Sequence, residues 1–207
     1  MNILIDELPT SVSVAGKRYP VNWGFRTFIL IEICIFDQKI SDEERITSAL
    51  RLFYKDQIPD EQAFETMLWF YRGGKEESPA KGKGASSTKR VYCFEQDAPF
   101  IYSAFRTQYR IDLQDISSAD LHWWKFKTMF ESLGEDLKMS KIMYYRAAKT
   151  SGMGKEERAF INEMKKLYAL DVTTSVDSTA KLAKRDMDMK RYLQRRVKEV
   201  NSESKGR

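Results

Sequence analysis

The sequence predicts a mainly α-helical protein, a multi-helix globular fold with a small N-terminal β-hairpin. Apolar residues recur at helical spacing along most of the chain, and helix-start signals precede several of these stretches. A strand-like alternation appears within the first 22 residues. The 207 residues are 42% hydrophobic and 13% aromatic, which is the composition of a folded protein with a substantial core. We expect about seven helices in total.

The N-terminal alternation has the pattern of a hairpin. Val12 and Val14 alternate with serines in a first strand, Ala15-Gly16 supplies a turn, and residues 18–21 form the returning strand. The run from Phe25 to Phe36 then predicts a buried helix, because it is apolar on nearly every side. This run is too short and too charged for a membrane span, which needs roughly 20 apolar residues. We therefore expect no membrane association.

Two more helices complete the predicted N-terminal region, residues 1–72. Ser41-Asp42-Glu43-Glu44 is a capping box, in which a serine hydroxyl and a glutamate carboxylate satisfy free amides at a helix start. The apolar stripe that follows it consists of Ile46, Ala49, Leu50 and Phe53. Pro59-Asp60 is expected to open the third helix, and Gly73-Gly74 to end it.

Residues 73–90 contain no large apolar side chain and are predicted to form a flexible linker or mobile loop. A second helical region, residues 91–172, follows. Its first helix is expected to start at Asp97, as an N-cap with Pro99 in the first turn. The sequence Ser117-Ser118-Ala119-Asp120 offers the next cap.

The remaining helices are predicted over residues 138–149 and 155–170. The second of these has one apolar face, formed by Phe160, Ile161, Met164, Leu167 and Tyr168. Residues 173–207 are predicted to be a basic C-terminal helix or tail. Its helix, roughly residues 178–200, has only a thin stripe of Leu182, Met189, Leu193 and Val197.

Most of the net charge of +5 lies in this C-terminal segment. Residues 181–207 contain ten basic and four acidic residues, a balance of +6, so the rest of the chain carries −1. Nucleic-acid binding through these basic residues is one hypothesis. We favour a solvated helix face, because Asp186 and Asp188 interrupt the basic residues and no nucleic-acid-binding fold precedes them.

The sequence contains no recognisable catalytic or metal-binding motif. His122 is the only histidine, which excludes a site with several histidine ligands, and no nucleophile motif accompanies it. We interpret it as a hydrogen-bonded residue at a packed helix start. Asp97 and Asp112 are explained as a helix cap and a turn residue. We therefore expect a protein that is not an enzyme and uses no cofactor or metal.

Two features predict an intracellular location. Cys34 and Cys93 lie far apart in apolar stretches, which favours a reducing compartment over a disulfide framework. The start of the sequence, Met1-Asn2-Ile3-Leu4, lacks the basic region of a secretory signal.

The most unusual stretch is Leu-His-Trp-Trp-Lys-Phe, residues 121–126. At 100° per residue, Trp123 and Phe126 share one helix face, whereas Trp124 lies on another with Lys127 and Glu131. Trp124 therefore needs a second surface. Another helix of the same fold is the favoured interpretation, and a partner chain is the alternative. The candidate protein-binding residues are Leu121, Trp124, Lys127 and Glu131.

Several motifs together resemble the "gene product fifteen" family of tailed phages and prophages of Gram-positive bacteria. The similarity covers roughly residues 1–170, and its C-terminal motifs occur in order over residues 94–105, 108–113, 121–126 and 141–146. Residues 8–10, 16–20 and 25–26 are similar to the family's N-terminal part. The motif residues expected to have structural roles are Asp97, Tyr109, Asp112, His122, Trp123, Phe126 and Arg146. Whether the Arg146 guanidinium meets Asp112 is left open.

The resemblance implies a role in building a long flexible phage tail. The family's gene typically lies between those for the major tail protein and the tape-measure protein, which is the position of tail assembly chaperones. The expected client is the tape-measure protein, with the major tail protein as a further candidate partner and homo-oligomerisation left open. Such a chaperone acts in the host bacterial cytoplasm and is absent from the mature virion. The alternative is a tail-completion or adaptor component that stays in the particle.

Overall fold

The computed structural model describes residues 2–76, 90–115, 118 and 120–171. Within them, a two-stranded antiparallel hairpin precedes seven helices, which confirms the mainly α fold with a small N-terminal hairpin. The elements are β1 (Ser11–Val14), β2 (Lys17–Pro20), α1 (Phe25–Phe36), α2 (Asp42–Phe53), α3 (Ala63–Tyr71), α4 (Ala98–Tyr109), α5 (Trp123–Glu131), α6 (Lys138–Ala147) and α7 (Lys155–Leu167).

The hairpin forms where the alternation predicts it. Its two turn residues, Ala15 and Gly16, both have positive φ, at 48° and 78°. That backbone matches the twist of two antiparallel strands, and it pairs Val14 with Lys17. Val12 and Val14 point to the same side and are buried, so the hairpin covers one edge of the core.

Helices α1 and α2 have the predicted bounds. The predicted capping box is present at α2: the Glu44 N–H donates to the Ser41 hydroxyl at 3.2 Å, and the Ser41 N–H donates to the Glu44 carboxylate at 3.1 Å. Since local sequence supplies both the cap and the apolar stripe, these elements could be predicted without any tertiary contact.

The predicted start of α3 at Pro59-Asp60 is wrong by several residues. Gln62 has a φ of 54°, which is left-handed backbone that a helix cannot continue through, so α3 begins at Ala63. The predicted end is confirmed, because Gly73 and Gly74 take positive φ directly after the last turn.

The cap of α5 also differs from the prediction. His122, rather than the Ser117–Asp120 stretch, occupies the cap position, and its Nδ1 accepts the Trp124 N–H at 3.0 Å. The hydroxyl of Ser118 instead donates toward the carbonyls of Asp112 and Asp115, which closes the turn before α5. A histidine cap was not expected, since serine, threonine, asparagine and aspartate are the preferred cap residues.

One aromatic core joins the two predicted regions. Phe28 of α1 stacks on Phe70 of α3 and on Trp123 of α5, with ring centroids 5.4 and 5.0 Å apart. A short antiparallel bridge between Gly24 and His122 aligns the starts of α1 and α5. Residues far apart in sequence thus share one interior, and α5 lies within it.

Helix α7 lies at the margin of this core. It ends at Leu167, three residues before the predicted end, and Ile161 is the one residue of its predicted apolar face that is buried. Phe160 and Leu167 are 48% and 66% exposed. The predicted linker is described at residues 73–76 and 90 alone, and the predicted basic tail, residues 173–207, lies outside the described residues. Among the described helices, none has both the length and the apolarity to cross a membrane.

Candidate functional site

The two tryptophans of the motif cap the end of α3. The Trp123 indole N–H donates to the carbonyl of Tyr71 at 2.9 Å, and the Trp124 indole N–H donates to that of Phe70 at 2.7 Å. The last carbonyls of a helix lack partners within the helix. Neighbouring indoles therefore satisfy neighbouring carbonyls and hold α5 against α3.

The structure corrects the assignment of Trp124 as a protein-binding residue. Its second surface lies within the chain: the ring is 4% exposed and packs against Trp69 and Phe70. A Cβ at Gly74 would approach this ring to 2.7 Å, so a glycine is required there. Leu121 is half-buried, and its carbonyl accepts the Phe25 N–H at 3.0 Å. Neither residue offers an exposed anchor to a partner.

His122 has a structural role at the start of α5. With Nδ1 accepting from Trp124, its Nε2–H donates to the Pro9 carbonyl at 3.0 Å, and the ring stacks on Trp23. Burial lowers the pKa of His122, assisted by the charge of Lys125 and opposed by the bond to Pro9. Both ring nitrogens are occupied in the neutral form, which ties the hairpin's leading segment to α5.

The sequence left open whether Arg146 binds Asp112. In the structure, Arg146 binds Asp97 instead. The two residues are 5% and 1% exposed and form a bidentate ion pair, with N–O distances of 2.6 and 2.9 Å. The guanidinium also donates to the carbonyls of Val91 and Tyr168. Asp97 occupies the cap position of α4, but its carboxylate accepts the Cys93 N–H rather than an amide of α4. The predicted N-cap position of Asp97 is thus confirmed, although its side chain makes no hydrogen bond to an amide of α4.

The other motif residues connect neighbouring segments. Asp112 accepts the Gln114 N–H at 2.9 Å and the Tyr102 hydroxyl at 3.1 Å, and these bonds lower its pKa, led by the one from Gln114. The Tyr109 hydroxyl donates to the Met129 carbonyl at 2.8 Å, which joins α4 to α5. All of these contacts lie within the described fold.

An aromatic cleft opens beside α5 and is the candidate site. Its cavity volume is about 300 Å³, near the lower limit of ligand-binding pockets. Mostly apolar side chains line it, from α3, from the stretch before α4, and from α5 to α6. The lining residues are Tyr71, Val91, Tyr92, Phe94, Trp123, Phe126, Lys127, Phe130, Glu131, Leu133, Ser140 and Met143. Trp123, Phe126 and Phe130 are buried, whereas Tyr92 and Met143 are half-buried.

Two of the four candidate protein-binding residues lie in this cleft. Lys127 and Glu131 form an ion pair one turn apart on α5, and their side chains are 25% and 53% exposed. The cleft thus combines an apolar wall with one charge of each sign. Such a surface can bind an apolar side chain and orient the polar groups around it.

The described residues contain no group of three or more histidine, cysteine, aspartate or glutamate side chains placed to hold a metal ion. Residues 4–170 match a family model described as "Bacteriophage Gp15 protein". The chain belongs to this family. No curated protein and no solved structure is detectably similar to it.

The family match spans every described helix and strand, including all four segments of the cleft. It identifies the chain as a phage protein. The match ends at residue 170, so the basic C-terminal segment lies outside it.

The structure contains a buried carboxylate that the sequence did not lead us to expect. Glu32 of α1 is 3% exposed and accepts hydrogen bonds from the hydroxyls of Tyr71 and Tyr92, both of which line the cleft. Arg90 lies 3.5 Å away. Burial raises the pKa of Glu32, opposed by Tyr71 and Arg90, and burial with the nearby Glu32 raises the pKa of Tyr92 to about 12. A glutamate inside an otherwise apolar helix was the available signal, because buried charges need partners.

Proposed function

We propose that this phage protein is a tail assembly chaperone that binds the tape-measure protein while a long flexible tail is built. The observation that carries the proposal is the apolar cleft, open to solvent, in a member of a phage family. The resemblance described above supplies the client, since the family's gene typically lies next to that of the tape-measure protein. The protein acts by binding, without catalysis or a cofactor.

The cleft suits an apolar helix. A client helix presents large side chains at i, i+3, i+4 and i+7, and the cleft has room for a large side chain of such a stripe. The half-buried Met143 lines the cleft, and an unbranched thioether adapts to side chains of different shape. Adaptable contacts suit a chaperone that must coat a long client and leave it again.

Lys127 and Glu131 supply the polar part of this surface. Both belong to the cleft and remain accessible, so they can bond to polar residues beside the client's apolar stripe. Exposed ion pairs contribute only about 0–1 kcal/mol, so the pair can open at little cost when the client binds.

Co-expression with the tape-measure protein of the same phage tests the proposal. We expect a client that is insoluble alone to become soluble and to co-purify with the chain. Met143→Glu puts a charge into the cleft and should abolish co-purification, whereas Met153→Glu, between α6 and α7, should not. Circular dichroism of both variants establishes that they fold. A client that stays insoluble with the wild-type chain contradicts the proposal.

The alternative, a tail-completion or adaptor component, differs in whether the protein is present in the mature virion. A chaperone of the host cytoplasm is absent from finished particles, whereas a component is present at a fixed number of copies. Mass spectrometry of purified virions separates the two. Stoichiometric presence in the virion overturns the chaperone proposal and favours a component.

A further inference from the structure

The rings that line the cleft form one connected cluster. Half of the lining residues are aromatic. Contacts run in turn through Tyr71, Trp123, Phe126, Phe130, Tyr92 and Phe94, with the centroids of successive rings 5.0 to 6.2 Å apart. The wall of the cleft is therefore a continuous aromatic surface rather than a set of isolated apolar side chains.

Two of these rings are held in place by hydrogen bonds. The hydroxyls of the half-buried Tyr71 and Tyr92 donate to the Glu32 carboxylate at 2.7 and 3.4 Å. Glu32 is buried in α1 and is not among the residues that line the cleft, so these hydroxyls are engaged behind the wall that their rings form. Side chains that are already ordered lose little entropy when a ligand binds between them.

The other groups of the lining also interact well with an aromatic ring. The Met143 thioether can lie at a ring edge, and the Lys127 ammonium can lie over a ring face. The rings of the wall can bind a further ring edge-to-face or offset-stacked. An aliphatic side chain gains the burial of its surface in the cleft but none of these additional contacts. Val91 and Leu133, the aliphatic part of the lining, do not distinguish the two kinds of side chain.

We propose that the cleft is selective for an aromatic side chain, binding phenylalanine, tyrosine or tryptophan in preference to an aliphatic side chain of similar size. Its volume of about 300 Å³ is close to that of the smallest ligand pockets, so we expect one ring at a time. The inference rests on the proposed function, because it concerns the side chain that the client places in the same cleft. It specifies the client segments that bind, which are apolar helices with an aromatic residue in their stripe.

A comparison of phenylalanine with cyclohexylalanine tests the selectivity without the client. The saturated ring has the same carbon skeleton and is the more apolar of the two, so burial alone would favour cyclohexylalanine. The full chain, labelled with ¹³C in its methionine methyl groups, is titrated with N-acetyl-phenylalaninamide and with N-acetyl-cyclohexylalaninamide. The Met143 methyl signal, assigned with Met143→Leu, gives each Kd.

We expect the phenylalanine probe to bind about twofold to tenfold more tightly than the cyclohexylalanine probe, the factor expected for contacts between aromatic rings. Equal or tighter binding of the cyclohexylalanine probe overturns the inference. Absence of any Met143 shift with both probes overturns it as well, because the cleft then admits neither side chain.

Removing one ring of the wall should weaken the preference. Tyr92→Leu keeps an apolar side chain in the cleft and should bring the ratio of the two Kd values close to one. Tyr102→Leu is the matched control, since this half-buried tyrosine of α4 also donates to a carboxylate, that of Asp112, but does not line the cleft. It should keep the wild-type ratio. An unchanged ratio in a folded Tyr92→Leu variant, as judged by circular dichroism, contradicts the role of the aromatic wall.

A second variant serves if Tyr92→Leu does not fold. Lys127→Met removes the ammonium from the accessible rim of the cleft and keeps a long side chain, and it should lower the ratio by about twofold. Lys125→Met, at an exposed lysine of the same helix, should leave the ratio unchanged. A Lys127→Met variant with the wild-type ratio, together with equal binding of the two probes, would contradict the inference.

Peptides separate this inference from the proposed function. In a tape-measure peptide that binds the chain, replacing phenylalanine with cyclohexylalanine should raise the Kd by the factor found for the probes. If no tape-measure peptide binds but the probes show the preference, the proposed function fails and the aromatic selectivity stands. If peptides bind and the replacement leaves their Kd unchanged or lower, the selectivity is wrong and the proposed function stands.

Discussion

Helices α5 and α7 have similar apolar patterns in the sequence and opposite environments in the structure. On α5, Trp123, Trp124, Phe126 and Phe130 are all buried. On α7, Phe160 and Leu167 of the predicted apolar face are exposed, Met164 is half-buried, and Ile161 alone is buried. Periodicity identifies a helix and its apolar face, but the number of neighbouring elements decides whether that face is covered.

The neighbours of the two helices explain the difference. Aromatic residues of α1, α3 and α4 surround α5, whereas α7 packs mainly on α6. The most recognisable motif of the chain therefore builds the interior. Apolar surface that solvent can reach lies beside it, in the cleft, and on α7. The predictions below test this division.

Truncating Trp124 should have the largest effect. Trp124→Ala removes a buried ring and the bond to the Phe70 carbonyl, and should lower the free energy of unfolding by about 3–5 kcal/mol, measured by urea denaturation. Trp124→Phe keeps most of the apolar contact and should cost less. A stable Trp124→Ala variant that loses only partner binding would show that Trp124 belongs to a binding surface and not to the interior.

Removing Arg146 should have a similar cost. Arg146→Leu leaves the Asp97 carboxylate buried without its partner, which typically costs about 3–5 kcal/mol of unfolding free energy. Arg158→Leu, at an exposed arginine of α7, should change little. If the ion pair is the cause, adding Asp97→Asn to Arg146→Leu should recover part of the loss. No recovery would show that the guanidinium acts mainly through its two carbonyl contacts.

His122→Asn should show a smaller, pH-dependent effect. Asparagine can cap α5, so the cost at pH 7.5 should be about 1 kcal/mol for the lost bond to Pro9. The folded pKa of His122 is lowered, so its contribution is present above the unfolded value of 6.5 and lost as the pH falls below it. The stability difference between wild type and variant should therefore shrink from pH 6.5 downward. A difference that stays constant or grows would contradict the neutral histidine.

A change at the exposed Phe160 of α7 should have the smallest effect on folding. Phe160→Ser should shift the unfolding free energy by no more than about 0.5 kcal/mol, because the side chain is half exposed. Thermal denaturation of Phe160→Ser and Trp124→Ala under the same conditions compares the two losses of stability. Equal losses of stability in the two variants would mean that Phe160 of α7 contributes as much to the folded state as Trp124 of α5.

The sequence was sufficient for features that depend on neighbouring residues. The bounds of α1, the capping box at Ser41 and the Ala15-Gly16 turn follow from local chemistry alone. The pairing of Arg146 with Asp97 and the partners of Glu32 did not follow, since they join residues 49 and 39 or more positions apart. A side chain's pattern shows that it needs a partner, but only the packed fold identifies the partner.

Binding of tape-measure peptides to the cleft tests the central claim most directly. Overlapping fluorescent peptides covering the tape-measure protein of the same phage would be titrated with the chain, and anisotropy would give each Kd. We expect apolar helical peptides to bind, Met143→Glu to weaken them by tenfold or more, equivalent to about 1.4 kcal/mol, and Met153→Glu to leave them unchanged. If no peptide binds, or if Met143→Glu binds as tightly as wild type, the cleft is not the client site.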